Sequence, residues 1–348
     1  MQHATLGDTG LIVSRLSFGA ATFTQRNKDM GSFAKVGDAL ADELVGMALD
    51  QGVNWFDTAD SYAGGESETL LGRALGKRRG DVLLSTKVGF RTGEPLGQQG
   101  LSRRHILWSI DESLKRLGTD WVDFLIVHRE DPLTSLEETL SALDTVVRSG
   151  KARYVGFSNW SAWKAAAALE IQKANGFARF THGQVYWSLV GRDAERDFVP
   201  LAKRYGIGLT VWSPLAGGFL SGKYTPENLR DPDYRYSGFD VLPFDKAHGF
   251  QVVELLRTIA ARHQASVPQV AIAWLLAKPG VTSVLLGATK LRQLVDNLGA
   301  TDVTLTPEDL AELDGATAPG PVYPNWFIDE MVDGPSRAAL LGGAGPTS

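Results

Sequence analysis

Along the chain, short runs rich in β-branched and aromatic residues alternate with longer runs whose apolar positions recur at helical spacing. The short runs predict strands over residues 16–20, 54–58, 82–87, 122–128, 154–158, 182–186, 209–213 and 283–286. The longer runs predict helices over residues 39–51, 66–75, 103–117, 136–149, 163–175, 195–205 and 251–278, the last broken near Pro268. Ser102, Ser135 and Ser161 stand just before helical runs, where a hydroxyl oxygen can accept from an unpaired amide. Gly52, Gly76, Gly118, Gly150, Gly176 and Gly206 stand where helical runs stop.

Strand–helix alternation of this regularity implies parallel strands joined by crossover helices. About eight units predict an α/β chain closed into a (β/α)8 TIM barrel, a fold of roughly 250 residues before insertions. The excess length of this 348-residue chain falls in extended loops at 23–38 and 216–248 and in a tail from Thr317. One barrel domain is therefore expected over 1–316, with a tail over 317–348 that partly covers the active-site mouth and ends in a disordered LLGGAGPTS. An open doubly wound sheet is the competing fold. It is disfavoured because no G-x-G-x-x-G follows the first strand.

Composition narrows the chemistry. A net charge of −5 offers nothing for a nucleic acid or a membrane surface. The absence of cysteine removes disulfides, thiolate metal sites and a cysteine nucleophile together. The first residues, MQHATLGDTG, lack a signal pattern, and a cytoplasmic protein is expected. The six histidines are scattered, so no metal cluster is expected.

Barrel active sites sit at the C-terminal ends of the strands. The second strand ends in WFDTADSY, giving Asp57 and then Tyr62; the third ends in Lys87 and the fourth in His128. Later strands end in Ser158–Asn159, Gln184 and Trp212–Ser213. Singly, each has an ordinary structural reading as a cap, a solvated side chain or a core histidine. That reading does not explain Asp, Tyr, Lys and His on three consecutive strand ends. A phenol with an ordinary pKa of about 10 holds its proton too tightly for catalysis near neutrality, and a neighbouring ammonium lowers it. Tyr62 beside Lys87, with Asp57 pairing the lysine and His128 near the substrate oxygen, makes a general acid for a carbonyl gaining charge. A general acid without a covalent nucleophile suits hydride transfer from a bound cofactor.

These stretches carry a resemblance to a known family. GVNWFDTADSYAGGESETLLGRAL, LLSTKVGF, VDFLIVHRED, GKARYVGFSNW and VWSPLAGGFLSGKY are similar to aldo-keto reductases, and to the potassium-channel β-subunit branch among them. The likeness runs from LGDTGLIVSRLSFGA to YPNW near the end. It implies carbonyl reduction with NADP(H) preferred, NAD(H) as the alternative, and neither metal nor flavin. It places the family's tetrad on Asp57, Tyr62, Lys87 and His128. It places the carboxamide contacts on Ser158, Asn159 and Gln184, and the ring that stacks on the nicotinamide on Trp212, where tyrosine is commoner. Ser213, Pro214, Leu215, Gly217 and Lys223 fall on the pyrophosphate loop, with Gly19 and Thr22 across the mouth. Gly287, Thr289, Lys290, Gln293 and Asn297 fall at the adenosine-phosphate end. Many relatives carry arginine at the position of Thr289, and Lys290 or Arg292 is expected to face a 2′-phosphate instead.

GGFLSGKY, residues 217–224, nearly spells a phosphate loop, but Tyr224 replaces the hydroxyl that reaches magnesium. Two other functions stay open. A Schiff-base aldolase would use Lys87 as nucleophile but leave Trp212 and Gln184 without a role. A regulatory subunit of the channel-β type would keep the cofactor and turn over slowly. The partner is a small-molecule carbonyl or alcohol, and a homo-oligomer is compatible with the sequence. Its pocket wall is expected from Phe23, Phe33, Phe90, Arg129, Glu130, Trp160 and Trp326. The aromatics favour a ring-bearing carbonyl, the two charges a polar or sugar-like one, and rim packing is the plain alternative.

Overall fold

Period-two alternation along each strand sorts side chains into an inner and an outer set. The computed structural model describes residues 1–25, 36–229, 231, 236, 240–331, 333–335 and 339. A short antiparallel hairpin, β1 (His3–Thr5) and β2 (Ile12–Ser14), precedes the barrel. The barrel strands are β3 (Leu16–Gly19), β4 (Trp55–Asp57), β5 (Leu83–Val88), β6 (Val122–Val127), β7 (Ala152–Ser158), β8 (Phe180–Tyr186), β9 (Gly208–Trp212) and β10 (Val281–Leu286). They pair in parallel in chain order, and β10 closes the ring onto β3. The closed (β/α)8 barrel expected from the alternation is the fold observed.

The crossover helices are α1 (Asp38–Asp50), α2 (Glu66–Leu75), α3 (Arg103–Leu117), α4 (Leu136–Arg148), α5 (Ala162–Asn175), α6 (Ala194–Tyr205) and the pair α7 (Lys246–His263) and α8 (Val267–Leu276). The break near Pro268 is real: Ser266 caps α8 in a full capping box with Gln269, and Pro268 sits in its first turn. After β10 come α9 (Leu291–Leu298), α10 (Pro307–Ala316) and α11 (Asn325–Glu330).

Ser102 and Ser135 cap α3 and α4 as expected, accepting from the amides of His105 and Glu138 at 3.3 and 3.2 Å. Ser161 occupies the N-cap of α5 but does not cap it. Its hydroxyl and amide both donate to Glu130 Oε1, so a carboxylate from the loop after β6 holds that helix start.

Outer side chains such as Phe56, Leu84, Leu125, Val127, Phe157 and Val211 form the main core with the helices. Inner ones form a second cluster, in which Leu6, Val13, Trp55, Phe124 and Ile126 plug the barrel floor. The β1–β2 turn closes against this floor: Asp8 N–H donates to Gly206 O at 2.9 Å. Gly7 there has a φ of +55°, and a Cβ would stand 2.4 Å from Gly206 O, so only glycine fits. With the floor packed, polar inner residues collect at the opposite, C-terminal mouth. Phe33 lies outside the described residues, as do part of the 23–38 loop, part of 216–248 and the LLGGAGPTS end.

Candidate functional site

Asp57 is the last residue of β4 and Lys87 the next-to-last of β5, both pointing inward because each lies an even number of positions from an inner residue, Trp55 and Ser85 respectively. Their buried side chains form an ion pair. The second carboxylate oxygen, Asp57 Oδ2, accepts from Ser85 Oγ at 2.6 Å and from Gln184 Nε2 at 3.1 Å. Ser85 in turn accepts from Trp55 Nε1 at 3.1 Å. Asp57 is thus held by three donors, which is what a buried carboxylate needs.

Lys87 Nζ also donates to Thr58 O at 2.8 Å and to Tyr62 OH at 3.5 Å. Burial acts to lower the lysine, but Asp57 and Tyr62 outweigh it and the net shift is upward. Tyr62 sits on a tight turn in which Ala63 adopts φ +49°, a rare backbone state for a residue with a Cβ. Burial pushes its phenol above the ordinary value, and Lys87 opposes that push. The lowering expected from Lys87 is therefore present but is exceeded by burial.

His128 Nε2 lies 3.5 Å from Tyr62 OH, with the two rings edge-on at 5.4 Å. Burial, then Lys87 and Arg129, hold this imidazole well below its usual pKa, so it is neutral near pH 7. The backbone carbonyl of His128 accepts from Asn159 Nδ2 at 2.9 Å, and Asn159 Oδ1 accepts from Trp212 Nε1 at 3.1 Å. Ser158 Oγ donates to Gln184 O at 2.8 Å. The tetrad and the β7, β8 and β9 ends therefore form one connected network.

Three further features suit a long, flat, anionic ligand running across this mouth. Trp212 is part-exposed beside Asn159, with Tyr186 behind it at 5.1 Å. After Pro214 and Leu215, residues 216–218 all adopt left-handed backbone, and Ser213 Oγ accepts from the Gly217 amide at 2.8 Å. Beyond β10, exposed Lys290 stands at the N-cap of α9 with no side-chain cap on the helix. Thr289 donates through its amide and hydroxyl to Gln293 Oε1, and Thr22 Oγ1 donates to Ala288 O at 3.1 Å. Gly19 and Gly287 lie close across β3 and β10, and Asn297 is buried on α9. Lys223 lies beside the ring of Tyr224, which is buried in the core.

The pocket residues divide. Phe90 meets the His128 ring edge-on at 4.7 Å, and Arg129 lies over Phe90, so both belong to the mouth. Phe23 and Trp160 do not. Phe23 is fully buried against Phe18, and Trp160 is buried against Phe157 and Phe180 in the barrel–helix layer, because those rings face outward. Glu130 is committed to Ser161 and to Lys164 at 3.5 Å. Trp326 is exposed, with ring neighbours Tyr323 and Phe327 in its own segment. Ser85, Trp55 and Thr58 join the site without standing out in the sequence, although the inner parity of Ser85 with Lys87 and of Trp55 with Asp57 signals the first two.

Among the described residues, no group of three or more His, Asp or Glu is placed to hold a metal ion, and no helix is long and apolar enough to cross a membrane. Residues 15–318 match the family described as the Aldo/keto reductase family. The chain is 39% identical over 331 residues to a "Probable voltage-gated potassium channel subunit beta" of Oryza sativa subsp. japonica, covering 92% of this chain and 98% of that protein. A protein of the same description from Arabidopsis thaliana is 37% identical over 94% of this chain and 100% of its own length. A "Versiconal hemiacetal acetate reductase" of Aspergillus parasiticus is 33% identical over 93% of this chain and 99% of its own. With this match over nearly its whole length and a closed parallel barrel carrying Asp57, Tyr62, Lys87 and His128 at one mouth, the chain belongs to the aldo/keto reductase family.

Proposed function

We propose that the protein is a nicotinamide-dependent carbonyl reductase in which Tyr62 is the general acid and base. The observation that carries this reading is the Asp57–Lys87 pair, buried and aimed at a phenol that also faces a neutral imidazole. A reduced nicotinamide, when bound, supplies the hydride to the carbonyl carbon. Ser158, Asn159 and Gln184 would hold its carboxamide and Trp212 its ring face. The 213–217 loop and Lys223 would hold the diphosphate, with Gly19 and Thr22 alongside. Gly287, Thr289, Lys290, Gln293 and Asn297 would hold the adenosine end. Exposed Lys290 and Arg292, two cations at the α9 N-terminus, would suit a 2′-phosphate and so favour NADP(H) over NAD(H).

The chain's own part is proton transfer and charge stabilisation. Tyr62 donates its proton to the substrate oxygen as charge develops there. Lys87, kept cationic by Asp57, stabilises the phenolate that remains. His128, neutral and beside Tyr62 OH, presents a ring nitrogen to the same oxygen. Phe90 stands edge-on to the His128 ring, and exposed Arg129 over Phe90 would offer a cation to a polar substrate edge.

The aldolase alternative is disfavoured by the same geometry. A Schiff-base lysine must be neutral to attack, whereas Lys87 is fully buried against a carboxylate that raises its pKa. The regulatory alternative draws support from the rice and Arabidopsis relatives named as channel subunits. It shares the cofactor site and differs in turnover. Titration of NADPH and NADH against tryptophan fluorescence, run beside a panel of aromatic aldehydes, quinones, sugars and keto-steroids, separates the two. Binding with turnover supports the reductase; binding without any turnover supports the regulatory subunit.

A further inference from the structure

The turn that joins Asp57 to Tyr62 carries a second carboxylate with no part in the proton transfer above. Asp60 is 1% exposed. Its Oδ2 accepts from Ser109 Oγ on α3 at 2.7 Å, while its Oδ1 is buried without a hydrogen-bond partner. Its backbone N–H donates to Lys87 O at 3.2 Å, which ties the turn to the strand that carries the lysine. The charged groups facing it are Glu68 of α2 and Arg116 of α3, and the Ser61 amide also faces it. Arg116 is committed to Glu68 at 2.6 Å, and Glu68 also accepts from Thr86 Oγ1. An anion at Asp60 would therefore keep one oxygen buried with only the Ser61 amide facing the group, a costly arrangement. A neutral carboxyl fits better, because its Oδ2 still accepts from Ser109 Oγ and no anionic charge is left buried.

We propose that Asp60 is a proton-linked positioning residue for Tyr62: neutral, it anchors the 57–62 turn to α3, and ionised, its charge opposes the phenolate that proton transfer creates. This rests on the reductase reading. Burial, above all, raises the Asp60 carboxyl to about 7, with the Ser109 bond opposing and Glu68 reinforcing. Around Tyr62 the burial of the phenol dominates; Lys87 favours the phenolate, and Asp57 and Asp60 disfavour it. Turnover should then fall as pH rises through neutrality, because ionised Asp60 makes Tyr62 a weaker acid.

The test is the pH profile of kcat in the wild type, Asp60→Asn and Ser109→Ala. The wild type should show a descending limb near pH 7. Asp60→Asn should lack that limb, and Ser109→Ala should move it upward by about one pH unit, because the lost bond favoured the ionised form. A merely structural role would lower kcat at every pH and leave the limb in place, and a limb unmoved in both variants overturns the proposal. Should Asp60→Asn fail to fold, Ser109→Ala alone decides. A readout without turnover is the ring carbon-13 signal of Tyr62, assigned by its loss in Tyr62→Phe. It should shift through a midpoint near pH 7 in the wild type, and its failure to do so overturns the proposal. A shifting Tyr62 signal in a protein that reduces no carbonyl would support the Asp60–Tyr62 coupling and sink the reductase reading alone.

Discussion

The Asp57 carboxylate and the Lys87 ammonium are paired inside the barrel with side chains 3% and 0% exposed. Neither charge has solvent to fall back on, so each depends on the other and on Ser85, Gln184 and Thr58. Breaking such a pair from one side costs about 3–5 kcal/mol, because the remaining charge stays buried. Lys87→Met should therefore lower the urea midpoint as well as abolish reduction. Ser85→Ala should be milder: it removes one donor to Asp57 and leaves Trp55 Nε1 unpaired. A fall in kcat of about ten- to a hundredfold with unchanged cofactor affinity is expected, since only the aim of the pair is disturbed. Steady-state kinetics with cofactor titration checks both variants.

Trp212 presents a part-exposed ring whose Nε1 is fixed by Asn159. Trp212→Phe should retain most of the cofactor affinity, whereas Trp212→Ala should weaken it by about 0.5–1.5 kcal/mol, up to roughly tenfold in Kd. Isothermal titration with NADPH and NADH measures this. Equal affinities across all three proteins would remove Trp212 from the cofactor site.

Much of the fold and of the site is legible in the amino-acid sequence, for identifiable reasons. Strand and helix order follow from hydrophobic periodicity, and the tetrad follows from polar residues breaking that pattern at strand ends. The β1–β2 hairpin escapes such a reading because its three-residue strands are too short to show a period. α9 and α10, in the segment after the last strand, also escape it as separate helices. The misplaced pocket residues share one cause. Phe23 and Trp160 follow strand ends in the sequence, but their rings turn to the outer layer, and residue type alone does not give that direction. Position 161 carries the expected serine, yet its hydroxyl is drawn away to Glu130 of another loop. Long-range competition of that kind leaves no local trace.

Acid stability should depend on His182, which lies inside the barrel below Gln184. Burial, then Lys87, lowers its pKa from 6.5 to about 3. The unfolded chain takes up this proton as pH falls through 6.5, and the folded chain does not until about 3. The contribution is therefore complete above pH 6.5 and is lost progressively as pH falls toward 3. Asp60 works with the opposite sign, its raised pKa costing stability as pH rises toward 7, so variants must be compared rather than one curve read. His182→Gln should lose less stability than the wild type between pH 6 and 4, measured by urea unfolding. Parallel losses in the two proteins would contradict this.

Glu68 is fully buried and bonded to Thr86 and to Arg116, clamping α2 to α3 behind the Tyr62 turn. Arg116→Met alone should destabilise by about 3–5 kcal/mol, because it strands a buried carboxylate. Adding Glu68→Gln should recover part of that loss. Chemical denaturation of the two single variants and the double variant gives the coupling directly, and simple additivity would show that the pair is not a clamp.

Proton transfer by Tyr62 is tested most directly by Tyr62→Phe, assayed in parallel for NADPH binding and for carbonyl turnover. The ring is kept and only the hydroxyl is lost, so binding should match the wild type while kcat falls by at least about a hundredfold, within the range attributed to general acid catalysis. Near-normal turnover in the variant would contradict the mechanism and return the proton to His128 or to solvent.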